Sequence, residues 1–203
     1  MGKVVVTEFI TIDGVIEDPG GSEKTERGGW AFRADSGPDG EAFKFAELQA
    51  SDAQLLGRIT YDGFAQAWPT IEAGEFSEKM NGMPKFVVSS TLEDPSWNNT
   101  SVIKGDLAAE VAALKAQFDG DILVAGSAQL ARALFAHDLV DELHLIICPA
   151  LDGAKGAPSV FDSTETEADQ RAPVTAMTLE SSQTMEGGAM LLRYRIQNAD
   201  PRG

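Results

Sequence analysis

With 203 residues, 43% of them hydrophobic, the chain is long enough for one domain with a sizeable core. Sixteen Lys and Arg against thirty-two Asp and Glu leave a net charge of −16, which repels phosphate backbones and anionic headgroups and argues against nucleic-acid or membrane partners. One cysteine, Cys148, excludes an internal disulfide, and with only His137 and His144 beside it no metal-ligand spacing arises.

Residues 3–12 alternate and are rich in Val, Ile and Thr, which predicts a strand. The start lacks the layout of a signal peptide and no long apolar run follows, so a cytoplasmic protein is expected. From Asp13 to Asp39 the chain is rich in Gly, Pro and charge and reads as a long loop, a feature that is uncommon unless functional. Pro38 lies near the start of a helix carrying Ala42, Phe45 and Leu48 on one face. A short strand over Asp52–Leu56 ends at Gly57-Arg58, and a helix follows around Thr60–Ala67. Phe86–Ser89 and Val102-Ile103 are short strands. Leu107, Val111, Leu114 and Phe118 keep helical spacing. Ile122-Leu123-Val124 is a buried strand broken by Gly126, after which Ser127 can cap a helix bearing Leu130 and Leu134. Leu143–Pro149 is an apolar strand that makes Cys148 a buried, inert thiol. Near the end, Thr175, Met177 and Leu179 alternate, as do Leu192, Tyr194 and Ile196, around Glu186-Gly187-Gly188, the pattern of an antiparallel hairpin. Strands separated by helices imply right-handed crossovers. The expected fold is therefore α/β in a single domain over residues 1–203: a mixed, mostly parallel sheet flanked by helices, with a C-terminal antiparallel hairpin.

In open α/β sheets ligands bind beyond the carboxyl ends of the strands. Three expected strand ends carry groups suited to phosphate. Gly57-Arg58-Ile59-Thr60 offers a close backbone approach, a guanidinium, a hydroxyl and a helix N-terminus. Ser89-Ser90 offers two hydroxyls, and Ala125-Gly126-Ser127 a glycine turn with a hydroxyl. Each has a plainer reading: a surface ion pair for Arg58, turn chemistry for the serines, helix capping for Ser127. The G-x-G-x-x-G fingerprint is absent, which disfavours an ordinary Rossmann dehydrogenase. Asp13 is either a turn former or a group facing substrate. Trp30, in the long loop with Phe32 and Asp35, either anchors the loop or covers a flat substrate ring.

Five segments, Thr11-Ile12-Asp13-Gly14, Leu56–Tyr61, Pro84–Leu92, Val124–Leu130 and Leu139–Leu143, occur in an order that resembles the dihydrofolate-reductase-like family. That family includes the C-terminal reductase domain of the bacterial riboflavin-biosynthesis deaminase/reductase, and the likeness is to a stand-alone member. The resemblance implies the three-layer dihydrofolate-reductase-like fold and an NADPH-dependent reductase acting on a small heterocyclic or carbonyl substrate. It also implies cofactor contacts at Phe9, Ile16, Gly57, Arg58, Thr60, Ser89, Ser90, Val124, Ala125, Gly126, Ser127 and Leu130. Thr11, Asp13 and Trp30 would border the substrate, with Asp13 the catalytic candidate. No metal is implied, and a homodimer through the C-terminal strands is expected. Relatives usually have Gly-Gly where this chain has Ala125-Gly126, so that peptide is either trans here or strained by a cis bond. A protein of this fold that binds NADPH but uses another substrate, or none, is the alternative.

Overall fold

The computed structural model describes residues 1–34, 37–153 and 175–197. Its first strand, β1 (Val4–Thr11), is buried almost throughout, because it runs inside the sheet with parallel neighbours on both sides. After the loop come a four-residue helix, α1 (Trp30–Arg33), and the longer α2 (Gly37–Ala50). β2 (Ser51–Gly57) leads straight into α3 (Arg58–Ala67), and α4 (Glu75–Gly82) precedes β3 (Lys85–Val88) and β4 (Thr100–Ile103). Then α5 (Leu107–Gln117), β5 (Asp121–Ala125), α6 (Ala128–Ala136) and β6 (Glu142–Cys148) alternate. β7 (Met177–Thr184) and β8 (Met190–Ile196) form the expected hairpin.

These strands make an eight-stranded sheet in the order β4-β3-β2-β5-β1-β6-β8-β7. The first six are parallel and only the β6–β8 and β8–β7 pairings are antiparallel, so the mixed α/β architecture read from the sequence is the one found. Side-chain alternation along a strand assigns the two faces. Val4, Val6, Ile122, Val124 and Leu143 pack with Val111 and Leu114 of α5 and Leu130 and Leu134 of α6. Val5, Leu56, Val87 and Leu123 pack with Leu48 of α2, Tyr61 of α3 and Met80 of α4 on the opposite side. The result is three layers, helix–sheet–helix, of the dihydrofolate-reductase-like type.

Three local features differ from the sequence reading. α4 and the 3-10 turn Trp68–Thr70 fill a stretch that carried no prediction. The pattern is weak because only Phe76 and Met80 repeat at helical spacing among polar neighbours, and the contact that fixes it is non-local: Trp68 stacks on Phe76 with centroids 5.4 Å apart. α1 interrupts the long loop, since Trp30 is buried and its indole Nε1 donates to the Glu17 carbonyl at 2.8 Å. Buried Asp18 gathers the same loop, its carboxylate accepting from the Glu23 amide and from the amide and hydroxyl of Thr25 at 2.9–3.0 Å. Finally, Ser127 stands at the N-cap of α6 but makes no capping bond there. No described helix is long and apolar enough to cross a membrane.

Candidate functional site

A cavity of about 1400 Å³ opens where β1, β2 and β5 end, between the loop from Ile16 to Glu23, α2 and the turns into α3 and α6. A parallel sheet brings those ends to one edge because every crossover helix returns the chain to the opposite edge.

Two strand-to-helix turns meet on its rim. The Gly57 amide donates to the Ser127 hydroxyl at 2.9 Å, which is why that hydroxyl is not spent on capping α6. A Cβ on Gly57 would stand 3.2 Å from the Ser127 side chain, so the approach admits only glycine without displacement. Gly126 and Ser127 both adopt left-handed backbone, at φ 67° and 70°, and Gly126 faces Thr60. The Ala125–Gly126 peptide is trans. Arg58, first in α3, holds Asp62 through Nε at 2.8 and 3.0 Å and reaches the Thr91 hydroxyl through Nη1 at 3.2 Å. The Thr91 amide in turn donates to Ser89 Oγ at 3.3 Å. All three expected turns therefore lie on one edge, two in direct contact and the third joined through Arg58 and Thr91. The surface ion pair considered for Arg58 is present, and the same side chain borders the cavity.

The expected positions divide by location. Phe9, Ile16, Gly57, Arg58, Thr60, Ala125, Gly126, Ser127 and Leu130 all border the cavity. Val124 does not: it is wholly buried in the layer facing α5 and α6, the fate of the alternate residue in a two-faced strand. Ser89 and Ser90 stand outside the lining, Ser89 buried with its hydroxyl accepting from the Thr91 and Leu92 amides, Ser90 exposed. Thr11 and Trp30 border a separate recess of about 280 Å³ beside Arg27 and Asp152. Trp30 thus anchors the loop, while Phe32, 78% exposed, is the loop aromatic at the cavity. Asp13 is exposed and lines neither space. Its carboxylate accepts from the Thr11 hydroxyl at 2.6 Å and from the Asp152 and Gly153 amides at 3.2 and 2.8 Å. The Thr11 and Gly153 hydrogen bonds hold it down to about 2, an ionised turn former rather than a store of protons.

The floor of the cavity carries ionisable side chains. Glu8 lines the cavity at 2% exposure, and its Oε1 has no hydrogen-bond partner among the described residues. Burial pushes it up to about 8, against the pull of the Lys44 ammonium and with a small push from Glu23. Lys44 of α2 also lines the cavity, pairs with Glu47 and donates to the Thr7 hydroxyl at 3.0 Å. Glu47 meets His144 Nδ1 at 2.6 Å. Burial would raise Glu47, but Lys44 and His144 outweigh it and hold it near 2. His144 Nε2 lies 3.4 Å from Glu142 and 3.3 Å from Arg193 Nε, and Glu142 pairs with Lys3 at 2.7 Å. A chain of polar contacts thus links the cavity to the far side of β6. Its signal was a glutamate in the middle of Val4-Val5-Val6-Thr7-Glu8-Phe9-Ile10, too polar for the strand's centre, and Lys44 and Glu47 one turn apart. Among the described residues no His, Cys, Asp and Glu group could hold a metal.

A family model, the RibD C-terminal domain, matches residues 2–191. No curated protein matches the sequence. Among solved structures, a protein from Shewanella sp. PV-4 described as a riboflavin biosynthesis protein is similar at TM-score 0.73 and 18% identity, over 97% of this chain and 99% of that one. A pyrimidine reductase-like protein from Corynebacterium diphtheriae is similar at TM-score 0.63 and 14% identity, over 98% and 93%. RibD from Acinetobacter baumannii is similar at TM-score 0.64 and 16% identity, over 98% of this chain and 59% of that one. At such identities the likeness is one of fold.

Proposed function

The chain belongs to the RibD C-terminal domain family, and from that premise we propose that it is a nicotinamide-dinucleotide-dependent reductase whose preferred cofactor is NADPH and whose substrate is a small heterocycle, carbonyl or imine, of which an aminouracil of riboflavin biosynthesis is the type case. The observation that carries the reading is the Gly57 amide to Ser127 hydroxyl bond at 2.9 Å, which joins two strand-to-helix turns beside a cavity of about 1400 Å³.

Those turns fit a dinucleotide on their own chemistry. The N-termini of α3 and α6, neither capped by a side chain, lie at the rim, and Arg58 and Arg132 supply positive charge in a chain that is otherwise strongly negative. Gly57, Arg58, Thr60, Ala125, Gly126 and Ser127 would take the phosphates. The Arg58–Thr91–Ser89 contacts, with Ser90 beside them, form the group suited to a 2′-phosphate, which is what favours NADPH over NADH. Phe9, Ile16 and Leu130 would pack the rings. Bound there, the cofactor supplies the hydride; the protein binds, orients and keeps water out. Thr11, Asp13 and Trp30 shape the turn and loop that border this space.

Titration with NADPH and NADH by intrinsic tryptophan fluorescence tests the reading. Submicromolar to micromolar NADPH binding, a weaker NADH response and a loss of about 10-fold or more for Arg58→Ala, shrinking at high salt, support it. Binding of neither dinucleotide sinks it. Tight binding without NADPH oxidation across pterins, pyrimidines, aldehydes and quinones would favour a binding protein of this fold.

A further inference from the structure

Reduction of a carbonyl or imine needs a proton as well as a hydride, and the residues assigned above to the dinucleotide supply none. Asp13 is ionised, exposed and outside the cavity. Of the acids along the cavity, Glu8 alone combines deep burial, a place in the central strand and a carboxyl oxygen left without a partner among the described residues. A buried polar atom without a partner is uncommon and costly, and one that borders a cavity is accounted for by a ligand that completes it.

We propose that Glu8 is the proton donor of this cavity, delivering its carboxyl hydrogen to the oxygen or nitrogen of the bound acceptor, with Lys44 facing the carboxylate that remains. The inference rests on the reductase reading. The step balances. Hydride brings two electrons and one hydrogen nucleus to the acceptor carbon, and the π pair of the C=O or C=N bond moves onto the heteroatom. That atom forms a bond to the Glu8 hydrogen while the Glu8 O–H bond breaks, leaving glutamate. The charged groups that face Glu8 are Lys44 from α2 and Glu23 from the loop. Before transfer, burial keeps the proton on at neutral pH, since the raised value of about 8 lies above it. After transfer the Lys44 ammonium, already tied to Glu47 and through it to His144, stabilises the new charge. A buried carboxyl kept neutral by its surroundings is a recognised way to hold an acid ready at pH 7.

The test needs no acceptor. Glu8 next to an oxidised, cationic nicotinamide should lose its proton, whereas next to the neutral reduced ring it should keep it. Calorimetric titration in buffers of different ionisation enthalpy counts the protons released. At pH 7 the wild-type protein should release close to one proton more on binding NADP+ than on binding NADPH. The difference should vanish at pH 10, where Glu8 is already ionised. It should also vanish in Glu8→Gln and survive in Glu23→Gln. Equal release for both redox forms in the wild type, a comparison that needs no variant, overturns the assignment and leaves the reductase reading standing. So does a difference that persists in Glu8→Gln. If neither form binds, the reading itself fails and the assignment with it.

Discussion

The rim and the floor of the cavity are built in opposite ways. The rim, Gly57–Thr60 and Ala125–Ser127, consists of backbone amides, short hydroxyls and a half-exposed arginine, held by one hydrogen bond between two turns. The floor, Glu8, Lys44, Glu47 and His144, consists of ionisable side chains mostly buried between the sheet and α2, with Lys44, Glu47 and His144 bonded to one another. Groups on the rim remain wet and can change partners when an anion arrives. Groups on the floor have given up water, so each depends on its neighbours to stay ionised or neutral. That difference is why the proposed reading gives binding to the rim and proton control to the floor.

The largest effect should come from breaking the floor. Glu47→Ala leaves Lys44 and His144 without their shared carboxylate and should cost about 3–5 kcal/mol, a fall in Tm on the order of 10 °C by differential scanning calorimetry. A change under about 1 kcal/mol would show that water already reaches the pair. The same region should give stability two opposite pH dependences. Glu47, held near 2 in the fold against 4.5 normally, contributes stability that is present above pH 4.5 and lost as pH falls toward 2. Glu8, raised from 4.5 to about 8, binds its proton more tightly folded than unfolded, so stability declines as pH rises between those values. Urea unfolding of Glu8→Gln should therefore exceed the wild type by a margin that widens from pH 5 to pH 8; a constant margin would mean that Glu8 is ionised throughout.

The next effect is on the rim. Gly57→Ala places a methyl 3.2 Å from Ser127 at a backbone angle any residue accepts, φ −77°, so its cost measures the close approach alone. It should weaken NADPH binding about 10-fold with a stability loss of about 1–2 kcal/mol. Adding Ser127→Gly should return part of the stability by restoring space and relieving the left-handed backbone, but not the affinity, a non-additive pair that a double-mutant cycle reads directly. Independent losses at the two positions would separate turns that the structure joins.

A smaller effect is predicted at β7, the sheet's last strand, where Leu179 is 49% exposed. A homodimer through this edge should be seen by sedimentation, and Leu179→Glu should shift it toward monomer with little change in NADPH affinity. The smallest belongs to Asp13→Asn. Loss of a fully exposed turn carboxylate should leave dinucleotide affinity within twofold of wild type, and a larger loss would return Asp13 to the cavity.

Much of this fold could be read from the chain because its cues are local. The apolar run of β1, the Leu107–Phe118 spacing, the glycine turns and the terminal hairpin each declare themselves within a dozen residues. The rim was legible for the same reason, since turn residues announce turns and the sheet's order makes turns into neighbours. Where a local cue had two meanings, packing chose. Ser127 could cap α6 or reach away, and its left-handed backbone carries the hydroxyl to Gly57 instead. Val124 sits beside Ala125 in a phosphate-like segment, but alternation turns it into the core.

What the amino acids alone determined was the order of the strands and of all the helices but α1 and α4, the mostly parallel sheet and the positions of its phosphate-suited ends, because those follow from periodicity and backbone preference. What only the tertiary structure decided was the ionisation of the acids. Asp13 and Glu8 are five residues apart and chemically alike. One is held ionised by hydrogen bonds in an exposed turn, while the other is pushed toward neutrality where the sheet and α2 exclude water. A carboxyl's charge is set by the dielectric and the partners around it, and for Glu8 these come from Lys44 and from strands that are distant in sequence.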